Sequence, residues 1–248
     1  MRGYIDLHSH WVANVDDGAR SPEEGAAILR GLRQIGFSTV YATPHTRPGM
    51  FENDAAGLRA AYARTLDGLA AVPSAELPDV HLASEHYFDS LVFDRMRTGG
   101  ALPYPPLPGQ AALRVRPILI EFPPAAFPAQ AQARFFDLRR ANLAAVLAHP
   151  ERYNPVWADD ACLDPLIDAG ASLLLDLCSL VGKYGRASQR AAEKLVEEGA
   201  YEAACSDAHK PEDLDDVARA IDRLTELVGD EERDRLLGAA PAAILEGI

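Results

Sequence analysis

The sequence predicts an α/β fold, a distorted seven-stranded (β/α) barrel spanning residues 1–248 as a single domain, on three observations. The first is the length of 248 residues, enough for one barrel or large α/β domain and short for two. The second is an alternation of short β-branched or apolar runs with helical stretches, the pattern of a parallel sheet. The third is the position of the chemistry-bearing residues, because nearly every run finishes on a histidine or carboxylate. An open sheet binds at one switch point, whereas a barrel gathers all its carboxyl ends around one rim, so the third observation favours the barrel.

Strands are expected at residues 4–10, 39–45, 80–86, 117–122, 144–149, 171–177 and 201–209. The clearest helix follows the first: Ser21 is an N-cap, Pro22 stands at N1, Glu23 and Glu24 fill the first turn, and Gly36 stops it after Ile28, Leu32 and Ile35. Further helices are expected at 54–72, 89–98, 128–142, 159–169, 187–199 and 211–228. Residues 99–109, dense in Pro and Gly, should form an irregular, stiff surface connection between the third helix and the fourth strand. No internal repeat or heptad pattern is present.

Composition narrows the function classes. Apolar residues make up 48% and charged residues 25%, ordinary globular proportions that argue against disorder and a disulfide-stapled scaffold. Lys plus Arg 24 against Asp plus Glu 37 gives −13, so neither nucleic acid nor an anionic membrane surface is an expected partner. An anionic substrate must be drawn in by local cations. The start at Met1, Arg2 and Asp6 is polar, and no apolar run approaches the ~20 residues of a membrane span, so export and anchoring are not expected. Cys162, Cys178 and Cys205 form an odd set without a C-x-x-C pair, which suits a reducing cytoplasm. None has Arg six residues later, and neither a Walker loop nor G-x-G-x-x-G occurs, so cysteine-nucleophile phosphatase and nucleotide-loop chemistries are set aside.

His8-Ser9-His10 puts two imidazoles on one face of a strand, able to converge on one ion, and Asp207-Ala208-His209 repeats the spacing. With His45, Glu85, Glu121, His149 and the Asp16-Asp17-Gly18 turn, these residues gather where strands end, and a merely structural role would not require that coincidence. Imidazole and carboxylate without thiolate favour Mn²⁺, Fe²⁺ or Zn²⁺, and nine ligands fit two or three ions rather than one. Such clusters suit phosphate ester hydrolysis. His86 should face the other side of its strand from Glu85, and His81 lies too far back along it, so both are read as structural.

In order along the chain, Asp6-Leu7-His8-Ser9-His10, Val15-Asp16-Asp17-Gly18, Thr43-Pro44-His45, Arg47 with Gly49-Met50-Phe51, Ser84-Glu85-His86-Tyr87, Ile120-Glu121-Phe122, His149-Pro150-Glu151-Arg152-Tyr153, Gly182-Lys183-Tyr184-Gly185 and Ser206-Asp207-Ala208-His209 resemble the polymerase-and-histidinol-phosphatase (PHP) superfamily. Within it they are most similar to the manganese-dependent bacterial tyrosine phosphatases of capsule and exopolysaccharide clusters. The resemblance implies that His8, His10, Glu85 and Asp207 hold one ion, that Glu85 bridges to a second held by Glu121 and His149, and that Asp16, His45 and His209 hold a third. It implies manganese foremost, with iron or zinc as alternatives, and a transition-state role for Arg152. The implied substrate is a phosphotyrosine protein, a tyrosine autokinase that regulates polysaccharide synthesis, and homo-oligomerisation stays open. This chain departs from the branch at Lys210-Pro211-Glu212, where a second phosphate-contacting arginine is expected; Arg47, Lys183 and Lys210 are the candidate substitutes. The rival readings are a histidinol-phosphate or other small-molecule phosphatase on the same fold, and a catalytically weak metal-dependent regulatory protein.

Overall fold

A computed structural model describes residues 3–111 and 113–247; Met1 and Arg2, read above as a polar start, lie outside them, as do Ala112 and Ile248. The expected helix after the first strand is α1, Pro22–Ile35, where the Ser21 hydroxyl accepts from the Glu24 amide and Gly36 closes the end at φ 131°. Asp54 caps α2, Ala55–Leu69, and Asp89 caps α3, Ser90–Arg97, each carboxylate accepting an amide three residues on. Helices α4, Ala131–Arg140, and α7, Arg186–Glu197, also fall where the pattern placed them.

Strands β1, Tyr4–Ser9, β2, Phe37–Ala42, and β4, Asp79–Leu82, form one parallel ladder. A second parallel ladder runs in the order β3 (His45–Thr46), β5 (Glu85–Tyr87), β6 (Arg116–Glu121), β7 (Leu143–Ala148), β8 (Ser172–Asp176) and β9 (Ala203–Cys205). Two of the expected strands are therefore each interrupted, the second between β2 and β3 and the third between β4 and β5. Pro44 has no amide to give the ladder, and the Ser84 amide turns aside to donate to the Leu102 carbonyl. A parallel bridge joins Ser9, the last residue of β1, to Ala208 beyond the end of β9, with His10 N donating to Ala208 O and Asp207 N to His8 O, both at 2.9 Å.

Elsewhere the helical pattern differs from the expectation. The stretch 159–169 divides into a short 3₁₀ turn and α6, Asp164–Asp168, because Pro165 cannot donate within a continuing helix. A five-residue helix, α5, Asn154–Ala158, with Pro155 in its first turn, was not anticipated. Likewise α8 runs Leu214–Asp234, past the expected end, with a break at Gly229 (φ 81°), and α9, Ala240–Glu246, follows it.

The Pro-rich connection is irregular, as expected, yet it is not a surface strap. Leu102, Pro103 and Tyr104 are buried, and the Tyr104 hydroxyl donates to the Leu7 carbonyl at 2.7 Å. Tyr104 thereby joins an inner apolar cluster of Leu7, Tyr41, Leu119, Val146, Leu174 and Cys205, drawn from the faces of successive strands. A larger cluster fills the space between the sheet and the helices. The inner cluster fixes the strands beneath the polar residues at their carboxyl ends. No helix among the described residues is long and apolar enough to cross a membrane.

Candidate metal centre

His8 and His10 leave β1 on the same face and are fully buried. Their outer nitrogens are engaged from behind: His8 Nδ1 lies 2.5 Å from Thr43 Oγ1, and His10 Nδ1 lies 2.8 Å from Asp16 Oδ2. This leaves both Nε2 atoms pointing inward, the arrangement by which an outer partner orients an imidazole ligand. His45 comes from β3, held through its amide by Asp16 Oδ2 at 3.0 Å. Parallel pairing sets His45 beside Glu85 and Tyr87 beside Glu121.

Glu85 is the centre of the cluster. Its Oε1 lies 3.1 Å from His149 Nε2 and 3.4 Å from His8 Nε2, and its Oε2 lies 2.8 Å from His45 Nδ1 and 3.7 Å from His10 Nε2. Asp207 Oδ1 is 3.1 Å from His8 Nε2, 3.3 Å from His10 Nε2 and 3.6 Å from His209 Nδ1. His149 (φ 36°) and Asp207 (φ 46°) both adopt left-handed backbone at the ends of their strands. That conformation costs a non-glycine residue of the order of 1 kcal/mol or more and persists where the surroundings impose it, commonly at functional sites.

Four interlocking groups result, each with ligand atoms within 4.8 Å of one another: His8, His10 and Asp207; His8, Glu85 and His149; His45, Glu85 and Glu121; and His10, Asp17, His45 and His209. Eight of the nine residues singled out in the sequence fall in these groups. Asp16 stands behind His10 and His45 instead, its Oδ1 accepting from the Gly18 amide at 3.0 Å. The neighbouring Asp17 faces the group in its place, with Oδ1 3.5 Å from His45 Nε2 and 3.6 Å from His209 Nε2.

The buried atoms test whether divalent ions fit. His8 Nε2, His10 Nε2, His45 Nδ1, Glu85 Oε2, Glu121 Oε2 and Asp207 Oδ1 make no hydrogen bond, although each is shielded from solvent. Buried polar atoms left without partners cost about 1–3 kcal/mol each, and cations bound among them would satisfy the whole set at once. Electrostatics agree. Burial opposes ionisation of Glu85 and Asp207, but the surrounding imidazoles outweigh it and hold both carboxyls well below their ordinary range. Glu121 is pushed up to about 7 by burial and by Glu85, with His45, Arg152 and Arg47 pulling the other way.

Arg152 reaches the centre from the 3₁₀ turn after β7. Its guanidinium donates to Asp207 Oδ2 at 2.7 Å, lies 3.5 Å from Asp176 Oδ2 and stacks 4.2 Å from the centre of the Tyr184 ring. Glu151 points away, accepting from the Asp176 amide and the Ser179 and Tyr201 hydroxyls. Of the three cations proposed as substitutes, Arg47 stacks over Tyr87 at 4.1 Å, Lys183 pairs with Asp213 at 2.9 Å, and Lys210 is exposed. His86 is structural as read, bonded to Leu119 O and the Leu102 amide, while half-buried His81 packs its ring on Tyr41. Asp17, Thr43, Tyr87 and Tyr184 stood in the quoted turn and motifs without a role assigned to them, and Asp176 was not singled out. Asp176 carried the same signal as the others, a carboxylate at a strand end, whereas Thr43 and the tyrosines act through contacts that spacing does not show.

A parallel α/β scaffold with a histidine and carboxylate cluster suited to divalent ions defines the class of protein. The family model for capsular polysaccharide synthesis proteins CpsB/CapC matches residues 4–246, and the chain belongs to that family. It is 29% identical over 209 residues to tyrosine-protein phosphatase YwqE of Bacillus subtilis, covering 83% of this chain and 77% of that protein. Tyrosine-protein phosphatase CpsB of Streptococcus pneumoniae is 27% identical over 175 residues, covering 67% of this chain and 64% of that one. In three dimensions the chain superposes, with a TM-score of 0.82 and 26% identity, on a chain from the crystal structures of YwqE from Bacillus subtilis and CpsB from Streptococcus pneumoniae, described as unique metal-dependent tyrosine phosphatases; the match covers 98% of this chain and 94% of that one. The phosphotriesterase homology protein of Escherichia coli shares the fold at a TM-score of 0.59 and 14% identity, over 98% of this chain and 99% of that one.

Proposed function

We propose that this chain is a metal-dependent phosphotyrosine-protein phosphatase that acts in the cytoplasm as a single domain of residues 1–248, on a bacterial tyrosine autokinase controlling polysaccharide synthesis. The observation that carries the reading is the convergence of four histidine and carboxylate groups beside a guanidinium that no ligand role requires. Family membership and the names of the relatives support the substrate class. Free Cys162, Cys178 and Cys205 suit the compartment. The bridge between Ser9 and Ala208 supports a distorted barrel in which β2 with β3, and β4 with β5, each count as one of seven staves.

Two or three divalent ions, manganese foremost and iron or zinc as alternatives, would be held by His8, His10, Asp17, His45, Glu85, Glu121, His149, Asp207 and His209, with Asp16 orienting His10 and His45. When bound, they supply Lewis acidity toward the phosphoryl oxygens and lower the pKa of water. The protein's part is positioning. Asp176 and Tyr184 hold Arg152 at the edge of the cluster, where its forked donors can take two phosphoryl oxygens as charge develops in the transition state. Arg47, stacked on Tyr87 and acting on Glu121, offers a second guanidinium, whereas Lys183 is already engaged by Asp213 and Lys210 serves as a lesser, exposed cation. A phenolate leaves with a pKa of about 10, so such a site hydrolyses tyrosine phosphate before serine phosphate with little general-acid help.

Side-by-side turnover of a phosphotyrosine peptide and histidinol phosphate by the manganese-loaded protein tests the reading. The expected result is a kcat/KM for the peptide at least tenfold higher, and preferential hydrolysis of histidinol phosphate would overturn it.

A further inference from the structure

Beside the cluster, residues 47–51 turn back on themselves in a tight hairpin. Arg47 N donates to Phe51 O at 3.2 Å, Phe51 N donates to Arg47 O at 2.8 Å, and Gly49 makes the reversal at φ 81°, where a side chain would be strained. The Asn53 amide ties the base of the hairpin to the centre, donating to His45 O and Val15 O at 2.8 Å each. The Phe51 ring lies parallel to the His45 imidazole, with centroids 5.2 Å apart and planes 9° from parallel. Met50 stands at the tip and is 59% exposed.

The register of the sheet places this hairpin beside the Glu85 and Glu121 strands of the cluster. His45 pairs with Glu85 and Thr46 with His86, so the next residue, Arg47, comes to lie over Tyr87, which itself pairs with Glu121. Among the described residues, Arg47 has no ion-pair partner, unlike Arg152 and Lys183. On the other flank, the Tyr184 ring is already covered by Arg152. An exposed thioether and an aromatic ring next to a guanidinium without an ion-pair partner among the described residues form a surface that is apolar where a phenyl ring would lie and cationic where its phosphate would lie.

We propose that this hairpin selects aryl phosphates: Arg47 takes a phosphoryl oxygen, and Met50 with the outer side of Phe51 receives the phenyl ring of phosphotyrosine. The proposal rests on the phosphatase reading above and extends it to the residues that set preference for tyrosine. A serine phosphate presents only a methylene to the same surface and gains little from it. Trp157, also exposed, lines a separate groove with Arg190 and Lys194 and has no part in the selection.

Binding of two non-hydrolysable peptides to the manganese-loaded protein, measured by calorimetry, tests the assignment. One peptide carries phosphonomethylphenylalanine and the other the phosphonate analogue of phosphoserine. Met50→Ala, at an exposed position, should weaken the aryl peptide about three- to tenfold, the range for losing a sulfur–aromatic contact, and the alkyl peptide less than about twofold. Phe51→Leu should act in the same direction, and Trp157→Ala should change neither. Equal weakening of both peptides, no weakening of either, or loss of selectivity in Trp157→Ala alone would overturn the proposal. Wild-type protein that hydrolyses no phosphotyrosine peptide would remove the underlying function instead, a result read independently of the binding ratio.

Discussion

At the scale of single residues, Arg152 separates function from structure most cleanly. Its contacts with Asp207 and Asp176 could be mistaken for a stabilising ion pair, but the group is 29% exposed and faces the cluster. Arg152→Ala should lower kcat about 10²- to 10³-fold, the scale for removing one preorganised donor. Arg152→Lys should recover only part of that, since a point charge lacks the paired geometry. Steady-state kinetics with metal content measured on the same samples decides the matter, and wild-type kcat in Arg152→Ala would make the arginine structural. Glu151, next to it, carries a different expectation. Burial first and the Asp176 carboxylate second push its pKa up to about 8. The folded chain therefore keeps a proton that the unfolded chain releases near pH 4.5, so this group's favourable contribution is full below that pH and is lost as the pH rises through about 8. Glu151→Gln should flatten the fall in Tm across that window in chelator-treated protein; an unchanged slope would show that Glu151 is ionised in the fold. Asp16 and Asp17 show what the sequence could not tell: adjacent carboxylates in one turn point to different sides, and only the fold assigns one to His10 and the other to His45 and His209.

At the scale of elements, the cap of α1 was legible because Ser21 acts within one turn of itself, and α2 and α3 begin close to where they were expected, capped by Asp54 and Asp89. The interruption of the second strand, at Pro44, was open to reading but was missed; that of the third was not legible, since it depends on where the Ser84 amide finds its partner, at Leu102. The same long-range cause hid the role of residues 101–104. Their composition reads as a loop, and only the burial of Tyr104 against Leu7, far away in sequence, reveals an internal plug. Tyr104→Phe keeps the ring and removes the hydroxyl that donates to the Leu7 carbonyl, so it should lower unfolding stability by about 1 kcal/mol in urea titration. No loss of stability would mean that this hydrogen bond contributes nothing net. The elements that carry the cluster were found because each ends on a ligand-type side chain, a pattern that survives errors of a residue or two in strand boundaries.

At the scale of the whole molecule, a chain with net charge −13 needs local positive charge to handle a dianionic substrate. In the proposed reading Arg47, Arg152 and the bound ions would provide it. The same arrangement explains why removing the ions should do more than slow the reaction, because Glu85, Asp207 and Glu121 would then face one another with only the imidazoles and the Arg152 and Arg47 guanidiniums to offset them. The most direct test of the account is a metal titration: the protein is stripped with chelator, then manganese is added back while bound metal and turnover of a phosphotyrosine peptide are measured together. The four interlocking groups predict negligible turnover in the stripped protein, restoration by manganese and saturation at two or more ions per chain. Full activity in metal-free protein, or saturation at a single ion, would contradict it.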